Sequence, residues 1–109
     1  MRKTIASIQI IDNAVRISFS DNTTVELFDD LQMCCEVRYM TCDDDLNYFV
    51  GAEFFKWYTV NAPNRKRDDF IDHEVQFLEI LTSRGVISVA NHNEHNGYYS
   101  GFDIVERRV

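Results

Sequence analysis

Proline occurs once and glycine only four times in 109 residues. So few chain breakers exclude collagen-like, linker-like and low-complexity architectures, all of which draw heavily on these two residues. Long hydrophobic runs are also missing, since no stretch of about 18 apolar residues is available to cross a bilayer as a helix. The N-terminal MRKTIASIQIID has neither the continuous apolar region nor the small-residue cleavage site of an export signal, so the chain is expected to stay in the cytoplasm where it is made. Cysteine is confined to Cys34, Cys35 and Cys42, an odd count in which two residues are adjacent and poorly placed to bridge. Reduced thiols are expected. Cations are scarce too, with 11 Lys and Arg against 18 Asp and Glu and a net charge of −7. A grip on long nucleic acid needs many Lys and Arg contacts to phosphate, and this balance argues against it. A small anionic ligand is a different case, because two or three well-placed cations and a local field suffice for a pocket.

What the chain has is the makings of one core. Apolar residues are 45% of the sequence and aromatic residues 13%, which at this length suits a single domain over residues 1–109. The first third alternates: Ile8 and Ile10, then Val15, Ile17 and Phe19, then Val25 and Leu27 fall on every second position, as a meander with one buried face requires. Asp12, Asn13 and Ala14 form the first turn and Ser20 to Thr23 the second, in both of which Asp and Asn tolerate unusual dihedrals. In LQMCCEVRYMT, the residues Cys35, Val37 and Tyr39 alternate with Glu36 and Arg38 and predict a fourth strand. The segment from Asp43 to Val50 predicts a short helix of about two turns, capped by Asp and stopped by Gly51. EFFKWYTV is β-prone, NAPNRKRDD reads as an exposed loop, and HEVQFLEILT and GVISVA form a hairpin through Ser83-Arg84-Gly85. A last strand closes the chain in GFDIVERRV. The expected class is α+β, mainly antiparallel β, with an N-terminal meander, one short helix and C-terminal strands.

Chemistry-bearing residues are scattered. Cys34, Cys35, Cys42, His73, His92 and His95 have poor spacing for zinc, so no metal is expected. The acidic pairs Asp29-Asp30, Asp43 to Asp45 and Asp68-Asp69 sit where turns, caps and loops are predicted and read as solvated charges. No glycine-rich phosphate loop is present, so phosphate would be held by side chains, with Arg38, Arg107 and Arg108 offering planar forks. NHNEHNGYYSGF, residues 91–102, is too polar for a core strand and too aromatic for a solvated linker. It reads either as a structured loop, with Asn and Gly turning the chain and Tyr on the sheet, or as a binding wall. In a wall, aromatic faces stack on a base and Asn amides read its edge.

CCEVRYMTCDDDLNYFVGA, HEVQFLEILTSRG and NHNEHNGYYSGF, in this order and spacing, resemble the phage Thoeris anti-defence proteins of the first type. The resemblance spans Cys34 to Phe102. It implies a small sponge in the host cytoplasm that binds the cyclic ADP-ribose isomer made by bacterial TIR-domain enzymes and sequesters it unaltered, so that the defence effector is not switched on. It further implies dimers or hexamers, the latter with separate sites for cyclic trinucleotides of the CBASS type. On that reading there are no catalytic residues and no cofactor. Asn91, Asn93 and Asn96 read polar edges, Tyr98 or Phe102 stacks, and Arg107 or Arg108, with Arg38, meets the diphosphate. Two other readings stay open. One is a phage inhibitor that binds a host protein through an acidic face. The other is a hydrolase of the same signal, with Glu94 and His95 as base and acid.

Overall fold

Alternating side chains raise the meander. The computed structural model describes residues 3–30, 37–61, 66–67, 72–95 and 102–109. Strands β1 (Lys3–Ile11), β2 (Ala14–Phe19) and β3 (Thr24–Asp29) pair antiparallel, with Ile10 opposite Val15 and Val15 opposite Leu27. Both expected turns are present, and each contains one residue in the left-handed region, Asp12 at φ 54° and Asn22 at φ 69°. A bulge between Ile5 and Ser7 shifts the parity of β1, so that Ile5 as well as Ile8 turns to the core.

β4 (Val37–Thr41) leads to a single 3₁₀ turn, η1 (Leu46–Phe49), and then to β5 (Glu53–Asn61). The two-turn helix expected over Asp43 to Val50 is thus reduced to four residues. Asp45 caps it by accepting the Asn47 N–H at 3.1 Å, and Gly51 leaves it at φ 93°. A two-residue strand, β6 (Lys66–Arg67), lies within the segment read as loop and pairs with β7 (Asp72–Thr82). β8 (Gly85–His95) returns through the expected turn, with Gly85 at φ 117°, and β9 (Ile104–Arg108) ends the fold. The described residues therefore form a mainly antiparallel β protein, and no α-helix occurs among them.

Eight strands run in the order β4-β8-β7-β5-β1-β2-β3-β9, with β6 beside β7. The link between β5 and β1 is narrow, only Lys3 opposite Phe54 and Thr4 opposite Glu53. That link lets the sheet fold over into two wings, β1-β2-β3-β9 and β5-β7-β8-β4, whose inner faces meet. Ile5, Val15, Ile17 and Leu27 from the first wing and Leu78, Ile80, Ile87 and Val89 from the second have no exposed surface and form one core. Removing this apolar area from water is the main force holding the wings together. Trp57 Nε1 donates to Glu106 Oε1 at 2.9 Å and ties β5 to β9 across the fold.

Two predicted faces are reversed. β4 exists, but Val37 is 58% exposed while Arg38 and Met40 are buried. The inner parity is therefore the opposite of that suggested by Val37 and Tyr39, because Arg38 is neutralised inside and so can be buried. β8 does not end at Ala90; it continues to His95, so the first five residues of NHNEHNGYYSGF form a strand rather than a loop.

Candidate polar site between the wings

Along β8 the inner positions run Ile87, Val89, Asn91, Asn93, and the core changes from hydrocarbon to amide within one strand. On β4 the residues opposite Asn91 and Asn93 are Met40 and Arg38. On β7 they are Gln76 and Glu74. Strand pairing therefore gathers polar side chains from three strands at one end of the wing. Gln76 faces Asn61 of β5 in turn and donates to its Oδ1 through Nε2 at 2.9 Å.

Asp29, the last residue of β3, brings the other wing into this cluster. It is 1% exposed, and its backbone N–H donates to Asn13 O at 3.3 Å while its carbonyl accepts Asn13 Nδ2 at 3.1 Å. The carboxylate oxygen Oδ2 accepts Arg38 Nη1 at 2.7 Å and Asn91 Nδ2 at 2.9 Å, and Oδ1 accepts the Asp103 N–H at 3.3 Å. Reading Asp29 as a solvated turn charge is thus corrected: it is the buried partner of Arg38. Charges so far from water are stable only when paired and hydrogen-bonded, a condition this constellation meets. The Phe102 ring stands over Arg38, with the guanidinium carbon 6.0 Å from its centroid.

The expected site residues therefore divide. Arg38, Asn91, Asn93 and Phe102 converge. Arg38 is not an open phosphate fork, however, because its side chain is 1% exposed and engaged by Asp29. Arg107 lies elsewhere: its Nη2 donates to Glu26 Oε1 at 2.5 Å, and its guanidinium stacks 4.3 Å from the Phe28 centroid. Arg16 Nη2 donates to the other Glu26 oxygen at 2.6 Å, which completes an Arg-Glu-Arg ladder over β2, β3 and β9. Arg107 and then Arg16 hold the Glu26 carboxyl below the usual carboxylate range. Arg108 follows Arg107 in the strand and so belongs to the opposite face, opposite Val25. Asn96, Tyr98 and Tyr99 lie outside the described residues, as do Cys34 and Cys35.

Glu94, the candidate base, is on the other side of β8 from Asn93. Its Oε2 accepts the Tyr39 hydroxyl at 2.7 Å, and Tyr39 stacks on His92 with centroids 4.6 Å apart. The hydrogen bond to Glu94, aided by burial, pushes the Tyr39 phenol up to about 12. The Cys42 thiol donates to Ser88 O at 3.3 Å, and burial pushes it above its ordinary value. A raised thiol holds less thiolate, which lowers its reactivity as a nucleophile.

A groove of about 520 Å³ runs between β1 and η1, walled by Ile8, Ile10, Met40, Leu46, Asp44 and Asp45. Its size suits a nucleotide. Its carboxylates do not suit phosphate, and no Lys or Arg is among the described residues that line it. Among the described residues no group of three or more His, Cys, Asp or Glu is arranged to hold a metal.

Asp29 and Gln76 were missed by sequence reasoning, although a signal existed for both. Asp29 continues the period of Val25 and Leu27, and Gln76 that of Leu78 and Ile80, so each is an inner-face position held by a polar residue. No curated protein and no solved structure matches the chain. The model of a family described as a domain of unknown function (DUF7448) matches residues 1–105, and the chain therefore belongs to that family.

Proposed function

We propose that this protein is a non-catalytic sponge that captures a cyclic ADP-ribose isomer and withholds it from an anti-phage defence effector in the host cytoplasm. One observation carries the reading: Arg38, Asn91, Asn93 and Phe102, from separate parts of the chain, meet at the polar end between the wings. A small domain that needed only stability would fill that end with hydrocarbon, since buried ion pairs seldom stabilise more than apolar residues of the same size. The resemblance of the three segments to the Thoeris anti-defence proteins supplies the ligand class.

In this reading the amides recognise polar edges of the ligand and Phe102 supplies a stacking face. Arg38 positions Asp29 and Asn91 rather than gripping phosphate. Of the two terminal arginines, Arg107 is engaged by Glu26, so the diphosphate is assigned to Arg108, which lies opposite Val25 on the strand face of Glu106. A messenger of roughly 35 heavy atoms at about −0.3 kcal/mol per atom would bind with about −10 kcal/mol, corresponding to tens of nanomolar. Self-association into a dimer or hexamer would enclose a ligand that one sheet could only carry on its surface.

Calorimetry with the cyclic ADP-ribose isomer, followed by heating of the complex and mass analysis of what is released, tests the proposal. Saturable heat and intact ligand are expected. Absence of binding overturns capture, and altered ligand replaces the sponge with a hydrolase.

A further inference from the structure

The amide row carries more than general polarity. Asn91 is fully buried, and its Nδ2 is fixed on Asp29, which as a carboxylate can only accept. The orientation of the amide is therefore set, and Oδ1 points the other way. That oxygen is closed to solvent and accepts no hydrogen bond from any described residue. Gln76, directly opposite in register on β7, has its Nε2 on Asn61, and its Oε1 is likewise closed to solvent and accepts none. Cross-strand partners sit about 5 Å apart and share a face, so the two amides are neighbours on the inner side of the wing. A desolvated acceptor destabilises a fold, and two on adjacent strands point to a functional demand.

We infer that Asn91 and Gln76 form a two-acceptor reader for a primary amine, such as the exocyclic amine of adenine, whose two N–H groups match two carbonyl oxygens. The inference rests on the capture reading and names the part of the ligand that the site selects. Selection follows from the same chemistry. An analogue with a carbonyl in place of the amine sets a third acceptor against two buried ones, and sites built to hydrogen-bond an N–H discriminate strongly against its loss. Because both oxygens are closed off in this structure, the amine reaches them as the polar ends of the wings part, and slow association is expected.

Calorimetry on the full chain with the cyclic ADP-ribose isomer and with its deaminated inosine counterpart tests this without any substitution. The adenine form should bind at least about tenfold more tightly. Gln76→Met should shrink that preference to near unity. It should also leave the melting temperature unchanged or raise it by a few degrees, of the order expected when about 1 kcal/mol is recovered, because its lost bond to Asn61 is solvent-exposed and water replaces it. Equal affinity of the wild-type chain for the two forms overturns the amine reader while leaving messenger capture intact. Retention of neither form overturns capture, and the reader with it. If Gln76→Met does not fold, the wild-type comparison alone decides.

Discussion

Arg38 Nη1 donates to Asp29 Oδ2 at 2.7 Å, with the two side chains 1% and 0% exposed, and the pair joins β4 of one wing to β3 of the other. Asn91 Nδ2 donates to the same carboxylate oxygen at 2.9 Å and crosses the same gap. The polar end is therefore held by a charge pair where the rest of the interior is held by hydrocarbon. Such a pair is costly to break from one side, because the survivor is left charged and buried.

A double-mutant cycle measures that relationship. Asp29→Leu and Arg38→Met should each destabilise by about 3–5 kcal/mol in urea unfolding at pH 7. The double variant should lose clearly less than the sum, since it leaves no orphaned charge. Single variants that each lose less than about 1 kcal/mol would show the pair to be open to water.

Tyr39 gives a spectroscopic handle. Its phenol, bonded to Glu94, titrates at about 12 against an ordinary value of 10.0. A folded-state value above the unfolded one contributes stability that is complete below pH 10 and is lost as the pH rises through 12. Absorbance at 295 nm should show a late-ionising component from Tyr39, and Tyr39→Phe should remove it. The urea midpoint of the wild-type chain should fall across the same interval, with a shallower fall in the variant.

Much of the fold was legible because the meander follows one rule over most of its length, the bulge in β1 apart. Ile8, Val15, Ile17 and Leu27 fall at alternate positions within their strands and all turn inward. The same rule misled at β4, where Val37 looked like the inner residue and Arg38 took its place. Periodicity marks alternation but not which parity is buried, and a buried arginine needs a partner that lies nine residues away in sequence, at Asp29. At β8 composition and register point in different directions. Asn91 and Asn93 were too polar for a core, yet they continue the inner row of Ile87 and Val89 without a break. The pairing of Asn91 with Asp29 spans 62 positions, and no local pattern encodes it. Arg107 and Arg108 were grouped by adjacency, whereas a strand sends neighbours to opposite faces.

The turn between β2 and β3 should respond to backbone chemistry alone. Asn22 sits at φ 69°, its N–H donating to Phe19 O at 3.1 Å. Asn22→Ala should cost about 1 kcal/mol, because both residues carry the Cβ that crowds the following carbonyl in the left-handed region but Asn, unlike Ala, adopts that region readily. Asn22→Gly should change stability by less than about 0.5 kcal/mol, since glycine takes that conformation freely. Chemical denaturation of the two variants side by side separates them, and equal losses would mean that the Asn side chain itself matters.

The Arg16-Glu26-Arg107 ladder makes acid sensitivity predictable in sign. Glu26 has its folded pKa lowered, first by Arg107 and then by Arg16, below an ordinary value of 4.5. A depressed carboxyl contributes stability that is present above pH 4.5 and is lost as the pH falls through the folded value. Removing Arg107 takes away the larger cause, so the carboxyl should move back toward its ordinary value. Arg107 is 58% exposed, so solvent screens the pair and the expected cost of Arg107→Ala at pH 7 is about 0.2–1 kcal/mol. At an acid pH below the folded value of Glu26, where the carboxyl is protonated in folded and unfolded chains alike, most of that cost should vanish. Urea midpoints at the two pH values test the sign directly. A penalty that stays the same in acid would assign the role of Arg107 to its stacking on Phe28, which does not depend on the charge of Glu26.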